Sequence, residues 1–194
     1  MAANNETQGR FEDFEEFDRT TFDAETLSDG EDLEGRKESA HTENMVVVPE
    51  YDEYGYVFDG DPTYTVFSTS GSEYDVDPRG ECGCPDMIFN SPEDGCKHQQ
   101  RVVAELNDGR VPVPDAPVDE WFTTAFVERA EAAVEQAVEL RANDDANKSE
   151  VDAAEAIVDG FQTAFEAFRD RVGDDVAPLA EHVDAPLPDG DGGE

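Results

Sequence analysis

Every cysteine of the chain falls within residues 80–100, GECGCPDMIFNSPEDGCKHQQ. Cys82 and Cys84 stand two apart, and Cys96 and His98 repeat that spacing after eleven intervening residues, giving C-x-C-x(11)-C-x-H. No other feature constrains the fold as tightly. Thiolate and imidazole are ligands that zinc prefers, and four of them close a tetrahedral site only if the backbone brings the two pairs together. On an extended segment, side chains at i and i+2 share a face, so Cys82 and Cys84 can meet one ion. Gly83 leaves the backbone between them unobstructed, and Pro85 ends the strand. The second pair cannot lie inside a helix, where i and i+2 are about 200° apart. Cys96 is therefore expected just before a helix, after Gly95, with His98 in its first turn. The residues between the pairs, with Asn90, Ser91, Pro92 and Gly95, read as a loop.

Competing chemistries fit the cluster less well. Buried free cysteines would be scattered through the chain. A catalytic Cys–His pair needs an activated thiolate and an orienting group, not three thiols. An iron–sulfur cluster usually takes four cysteines. Three cysteines, an odd number, do not make a disulfide framework. The expectation is a structural Zn2+ held by Cys82, Cys84, Cys96 and His98.

The flanking segments supply a small α+β fold. MVVV, YGYVF, YTVFSTS and EYDVD within residues 45–78 read as antiparallel strands, with a hairpin turning around Gly71. From His98, the apolar positions Val102, Val103 and Leu106 suit a short helix that stops near Gly109. Pro112, Pro114 and Pro117 mark a linker. Two helical stretches follow, 119–142 and 149–172, the second opening on a capping-box-like Ser149 and Asp152. Phe122, Phe126, Ala130, Ala133 and Ala137 line one side of the first. Phe161, Phe165 and Phe168 belong to the stripe of the second. A link of about seven residues favours an antiparallel hairpin. Such stripes are core rather than a cofactor pocket. They also need a third surface: the sheet, the N-terminal arm or a second copy of the chain. A two-fold pairing of hairpins into a four-helix bundle makes a homodimer the expectation. VAPLAEHV adds one short helical turn.

These elements divide the chain into an acidic, mostly disordered arm (1–44), a zinc finger (45–110), a proline-rich linker (111–118), a helical hairpin (119–180) and an acidic tail (181–194). Within the arm, Phe11, Phe14 and Phe17 are spaced by three in FEDFEEF, loosely one helical face. They are read as a motif for a partner or for docking on the chain itself.

At this point the motif resembles the SWIM-type zinc finger. The resemblance covers residues 45–110: the aromatic strand region TYTVFSTSGSEYDVD, then CGCPD, then GCKHQQRVVAELNDG. It implies a ββα finger with the four ligands already named, and it is strongest toward the small stand-alone SWIM proteins of halophilic archaea. The family occurs in recombination accessory factors, transposases and chromatin-remodelling helicases, which implies protein contacts or DNA association. The loop between the pairs is longer than in compact members, and it carries Glu93 and Asp94 where a basic loop would favour nucleic acid.

Charge bears on partners and compartment. Fifty acidic residues against thirteen basic ones give a net charge of -37, yet 37% of the residues are hydrophobic. That combination points to a folded core under a carboxylate coat, adapted to a salt-accumulating halophile. In molar salt the Debye length is only about 3 Å, so such a surface scarcely repels itself. Counterion release from DNA yields little there, which leaves DNA binding open. Arg79, Lys97, Arg101 and Arg110 make residues 79–110 the least acidic region, and they are the candidate contacts to nucleic acid or a partner. The N-terminus has no basic, apolar leader, and no stretch nears the roughly 20 apolar residues of a membrane helix. The expectation is a cytoplasmic protein with no membrane partner. No nucleotide loop or nucleophile elbow occurs, and a closed zinc site has no open position for substrate. The chain reads as a non-enzyme and a protein–protein adaptor, with a DNA-associated recombination or regulatory factor as the alternative.

Overall fold

A computed structural model describes residues 31–58, 64–92, 94–173 and 176–183. Phe11, Phe14 and Phe17 lie outside the described residues. The elements run α1 (Glu31–Thr42), β1 (Met45–Pro49), β2 (Tyr64–Ser68), β3 (Glu73–Val76), α2 (Pro85–Asn90), α3 (Lys97–Asn107), α4 (Asp119–Thr123), α5 (Ala125–Ala142) and α6 (Lys148–Val172). A 3-10 turn, Leu179–Glu181, follows α6. The three strands form one antiparallel sheet in the order β1-β2-β3, with Val47 opposite Val66 and Val66 opposite Tyr74. This is the expected α+β architecture of strands followed by helices. The β2–β3 hairpin turns at Gly71, whose φ of +73° suits glycine.

The sheet explains why MVVV does not alternate. Strands covered on one face alternate apolar and polar residues, whereas strands covered on both read as unbroken apolar runs. All five residues of β1 are buried. Val46 and Val48 join Phe122, Phe126, Phe161 and Phe165 in one core. Met45 and Val47 join Tyr64, Val66, Val102 and Leu106 in another. The molecule is thus three layers deep: the α5–α6 hairpin, the sheet, and the ligand cluster with α3.

The hairpin face is dominated by rings. Phe122 stacks on Phe168 with centroids 4.4 Å apart and planes inclined by 13°, and Phe126 meets Phe161 edge-on at 5.0 Å. The third surface that the stripes require is therefore the sheet of the same chain. Phe122, Phe126, Phe161, Phe165 and Phe168 are buried against it, so a homodimer through the hairpin would have to use other residues. Helix α6 lies so close to β2 that a Cβ on Gly160 would sit 2.8 Å from the Cβ of Phe67. A glycine inside a helix costs roughly 0.5–1 kcal/mol relative to alanine; here it allows the helix to reach the strand.

Several local expectations need correction. Within the acidic arm, Glu31–Thr42 form α1, which packs beside α3. YGYVF is not a strand: Tyr56 and Val57 make isolated bridges, to Pro117 and Tyr51. The loop between the ligand pairs contains α2. The first hairpin helix is broken at Thr124, whose hydroxyl donates to the Glu120 carbonyl at 2.6 Å. Helix α6 begins at Lys148, one residue before the expected stretch, on a capping box of Asn147 and Glu150 rather than Ser149 and Asp152. In that box the Glu150 N–H donates to Asn147 Oδ1 at 2.9 Å, and the Asn147 N–H donates to Glu150 Oε2 at 3.0 Å.

Candidate metal centre

Two structural devices deliver the ligands. After β3 the chain turns through residues 77–80 and returns, so that Cys82 bridges Val76 and the Gly83 N–H donates to the Asp75 carbonyl at 3.4 Å. Cys82 is thereby held against the sheet edge, and Cys84 follows on the same side. Cys84 is also the N-cap of α2: its sulfur accepts from the Met87 N–H at 3.5 Å, and Pro85 occupies the first turn. A proline is favoured there because the first N–H groups of a helix have no partner within it. Cys96 caps α3 in the same position, with extended backbone, and His98 lies in the first turn as the spacing requires. Gln99 locks the second pair to the first. Its Oε1 accepts from the Cys96 N–H at 3.1 Å, and its Nε2 donates to the carbonyls of Asp77 and Gly80, each at 3.0 Å.

The result is convergence. Cys82, Cys84, Cys96 and His98 are all buried, and one ligand atom from each lies within 4.8 Å of all the others. His98 Nδ1 stands 3.9 Å from Cys82 Sγ and 4.0 Å from Cys96 Sγ. Zinc–ligand bonds of about 2.0–2.3 Å set tetrahedral edges near 3.5–3.8 Å, so an ion at the centre would draw the most widely separated pair together by about 1 Å. Tyr74 stacks on the imidazole, centroids 4.4 Å apart, and fixes the plane of the ring. His98 Nε2 is buried with no hydrogen-bond partner among the described residues. It is the edge that carries the proton when a metal takes Nδ1.

The thiols are electrostatically unequal. A hydrogen bond to Cys96 holds the proton on Cys82, with burial adding to the effect. Burial pushes the Cys84 thiol up. The same bond from Cys82, helped by His98, draws Cys96 well below the usual thiol range. Of the three, Cys96 at the head of α3 is the one whose thiolate form is favoured.

The candidate cations are placed differently from one another. Lys97 pairs with Glu43. Arg110 pairs with Asp108 at 3.1 Å and is more than half exposed. Arg79 lies in the turn between β3 and Cys82, where its N–H donates to the Asp77 carboxylate at 2.8 Å. Arg101 faces inward. It meets Glu105 at 2.8 Å and donates to the carbonyls of Ala40 and Glu43, at 3.1 and 3.4 Å, tying down the C-terminal end of α1. Glu105 is 1% exposed and also takes Arg129 of α5 at 3.2 Å. A buried network thus connects α1, α3 and α5. The sequence pattern placed Arg101 beside Lys97 on the helix but gave no sign of Glu105 or Arg129, since their partners come from different elements.

No family model, curated protein or solved structure matches the chain. No helix among the described residues is long and apolar enough to cross a membrane.

Proposed function

We propose that the four ligands hold a structural zinc ion and that the chain serves as a SWIM-type interaction module, bringing protein partners together in a cytoplasm of high salt. One observation carries this reading: the four convergent ligand atoms belong to side chains no more than 4% exposed. A closed set of three thiolates and an imidazole suits zinc in its structural role and leaves no coordination position for a substrate. The metal then organises a fold rather than a reaction. Large apolar side chains remain in solvent on the strap that carries Tyr54, Tyr56 and Phe58, and on α2. Exposed apolar groups gathered in one place favour protein contacts.

The test has two arms. Metal analysis of the purified chain should find about one zinc per molecule, lost in Cys82→Ser/Cys96→Ser. Capture from a high-salt lysate should then retain partners on the wild type that the ligand variant does not hold. Selective DNA binding that survives multimolar potassium chloride would instead favour the DNA-associated alternative. That binding would have to draw Lys97 and Arg101 away from the carboxylates of Glu43 and Glu105.

A further inference from the structure

Helix α1 is attached to the molecule almost without apolar packing. Of residues 35–42, only Ala40 is buried. The attachments are polar. Arg36 grips Asp86 of α2 with two hydrogen bonds, Nε to Oδ2 at 2.8 Å and Nη2 to Oδ1 at 3.2 Å. At the other end, Arg101 donates to the carbonyls of Ala40 and Glu43, and the Glu43 carboxylate pairs with Lys97. A helix of twelve residues is marginal in water on its own, so α1 depends on these contacts to stay formed. Elements with few buried apolar contacts open at low free energy, and α1 can come away while the sheet stays intact.

What α1 adjoins gives that release a consequence. A cleft of about 500 Å³ lies between α1, the β2–β3 turn and the starts of α2 and α3. Gly35, Arg36 and Ser39 form its α1 wall, and two of the four metal-ligand candidates, Cys84 and His98, line it as well. So does Tyr74, the ring stacked on the imidazole. Cys82 and Cys96 are not among its walls: Cys82 is held against Val76, and Cys96 is wholly buried at the head of α3. Cys84 is 1% exposed and His98 4%, so the cleft leads to the centre and stops short of it. A buried metal site needs an entry path. Displacing α1 removes one wall of the cleft and opens that path on the side of Cys84 and His98.

We propose that α1 is the gate of the metal centre: the ligands are loaded and stripped through this cleft, by way of Cys84 and His98, and the docking of α1 sets the rate. The gate rests on the zinc reading above and adds to it a way in. Gly35 makes the gate easy to open. A Cβ there would meet no other part of the molecule within 4 Å, so close packing does not require the glycine. Glycine inside a helix favours the melted form relative to alanine.

The test is the rate at which the full-length, zinc-loaded protein yields its metal to an excess of a chromogenic chelator, at one fixed concentration of potassium chloride. Arg36→Ala, which changes no ligand, should speed release about fivefold by removing an anchor of α1. Gly35→Ala should slow release about fivefold, because the helix is harder to melt. Hydrogen exchange at residues 35–42 should follow, faster in the first variant and slower in the second, with α5 and α6 unchanged. A general loosening of the fold would produce the first effect but not the second. Release rates indifferent to both substitutions overturn the gate, and so does acceleration by both. Zinc content separates this failure from failure of the reading beneath it. About one zinc per chain with rates indifferent to α1 removes the gate alone, whereas a chain that takes up no zinc removes both.

Discussion

One face of the sheet is covered by five phenylalanine rings from α4, α5 and α6; the other is covered by Val102, Leu106 and three sulfur atoms. The strands in between are shared, so the two faces differ in what covers them and not in what they are built from. Fully burying a phenylalanine side chain is worth about 1.5–3 kcal/mol. The hairpin face gathers several such contributions and can hold its half of β1 and β2 by burial alone. The other face has no aromatic ring from the hairpin except the partly buried Trp121, and on the reading proposed above it would depend on a metal ion held by Cys82, Cys84, Cys96 and His98 to draw its loops together. A sheet with one such face of each kind is expected to lose its stability unevenly, beginning on the side of the metal.

The largest effect should come from taking the metal away. Structural zinc contributes an apparent binding energy of about 10–16 kcal/mol in finger peptides. Chelation should remove amide protection from α3 and β3, while β1, β2, α5 and α6 keep theirs in molar salt. Uniform loss across both faces by hydrogen exchange would mean that the faces do not separate. Metal binding should also displace about two protons at neutral pH, from Cys82 and Cys84, because the Cys96 thiol is drawn well below the usual range. The sign follows from the raised thiols: protons compete with the metal, so affinity grows with pH, roughly a hundredfold per unit while both remain protonated. Calorimetry in buffers of differing ionisation enthalpy reads the proton count, and three protons would show that Cys96 is not distinguished from the others.

Next in size is Phe126→Ala. It should cost about 3–5 kcal/mol by opening a cavity in the hairpin face, with metal content unchanged. Equilibrium denaturation alongside metal analysis checks both halves of that statement. Gly160→Ala is smaller, and its sign is the informative part. Helix propensity alone favours alanine by about 1 kcal/mol. The approach of Phe67 predicts instead a loss of about 1–3 kcal/mol through overpacking. A stabilised variant would mean that α6 can withdraw from β2 without penalty. Smallest is Asn147→Ala, expected to cost about 1 kcal/mol through loss of the α6 cap. Because the cap lies at the far end of the hairpin, thermal melts should show this loss with no change in metal affinity.

The contrast between the faces also explains what the sequence could show. The convergence of Cys82, Cys84, Cys96 and His98 was legible because i, i+2 spacing has one meaning on an extended segment and another at a helix start, and both apply here. The hairpin turn at Gly71 and the stripe ending in Phe161, Phe165 and Phe168 were legible because each is written in neighbouring residues. Helix α1 was not. EDLEGRKESAHT has no apolar face, and its position depends on contacts with Asp86 and Arg101, 50 and 61 residues along the chain from the residues they meet. Helix α2 was hidden by its length and by an unusual cap, a cysteine thiol in place of a hydroxyl or carboxylate. The interruption at Thr124 was masked because Phe122 and Phe126 keep helical spacing across it. Burial on both sides of β1 likewise cannot be read from a run of valines, which suits any fully covered strand.

The Glu105 network bears on how portable the finger is. Composition suggests that the chain can be cut in the proline-rich stretch and the metal-binding piece moved to another context as a unit. Cutting there would separate Glu105, 1% exposed in the intact chain, from Arg129, leaving Arg101 as its remaining cation among the described residues. It would also uncover the hairpin side of β1. The excised piece would keep all four ligands and still expose two new liabilities, one electrostatic and one apolar. Transplantation should therefore succeed only with α5 attached or with Glu105 replaced by an apolar residue of similar volume, so that the ligand motif is a smaller thing than the unit of inheritance that carries it.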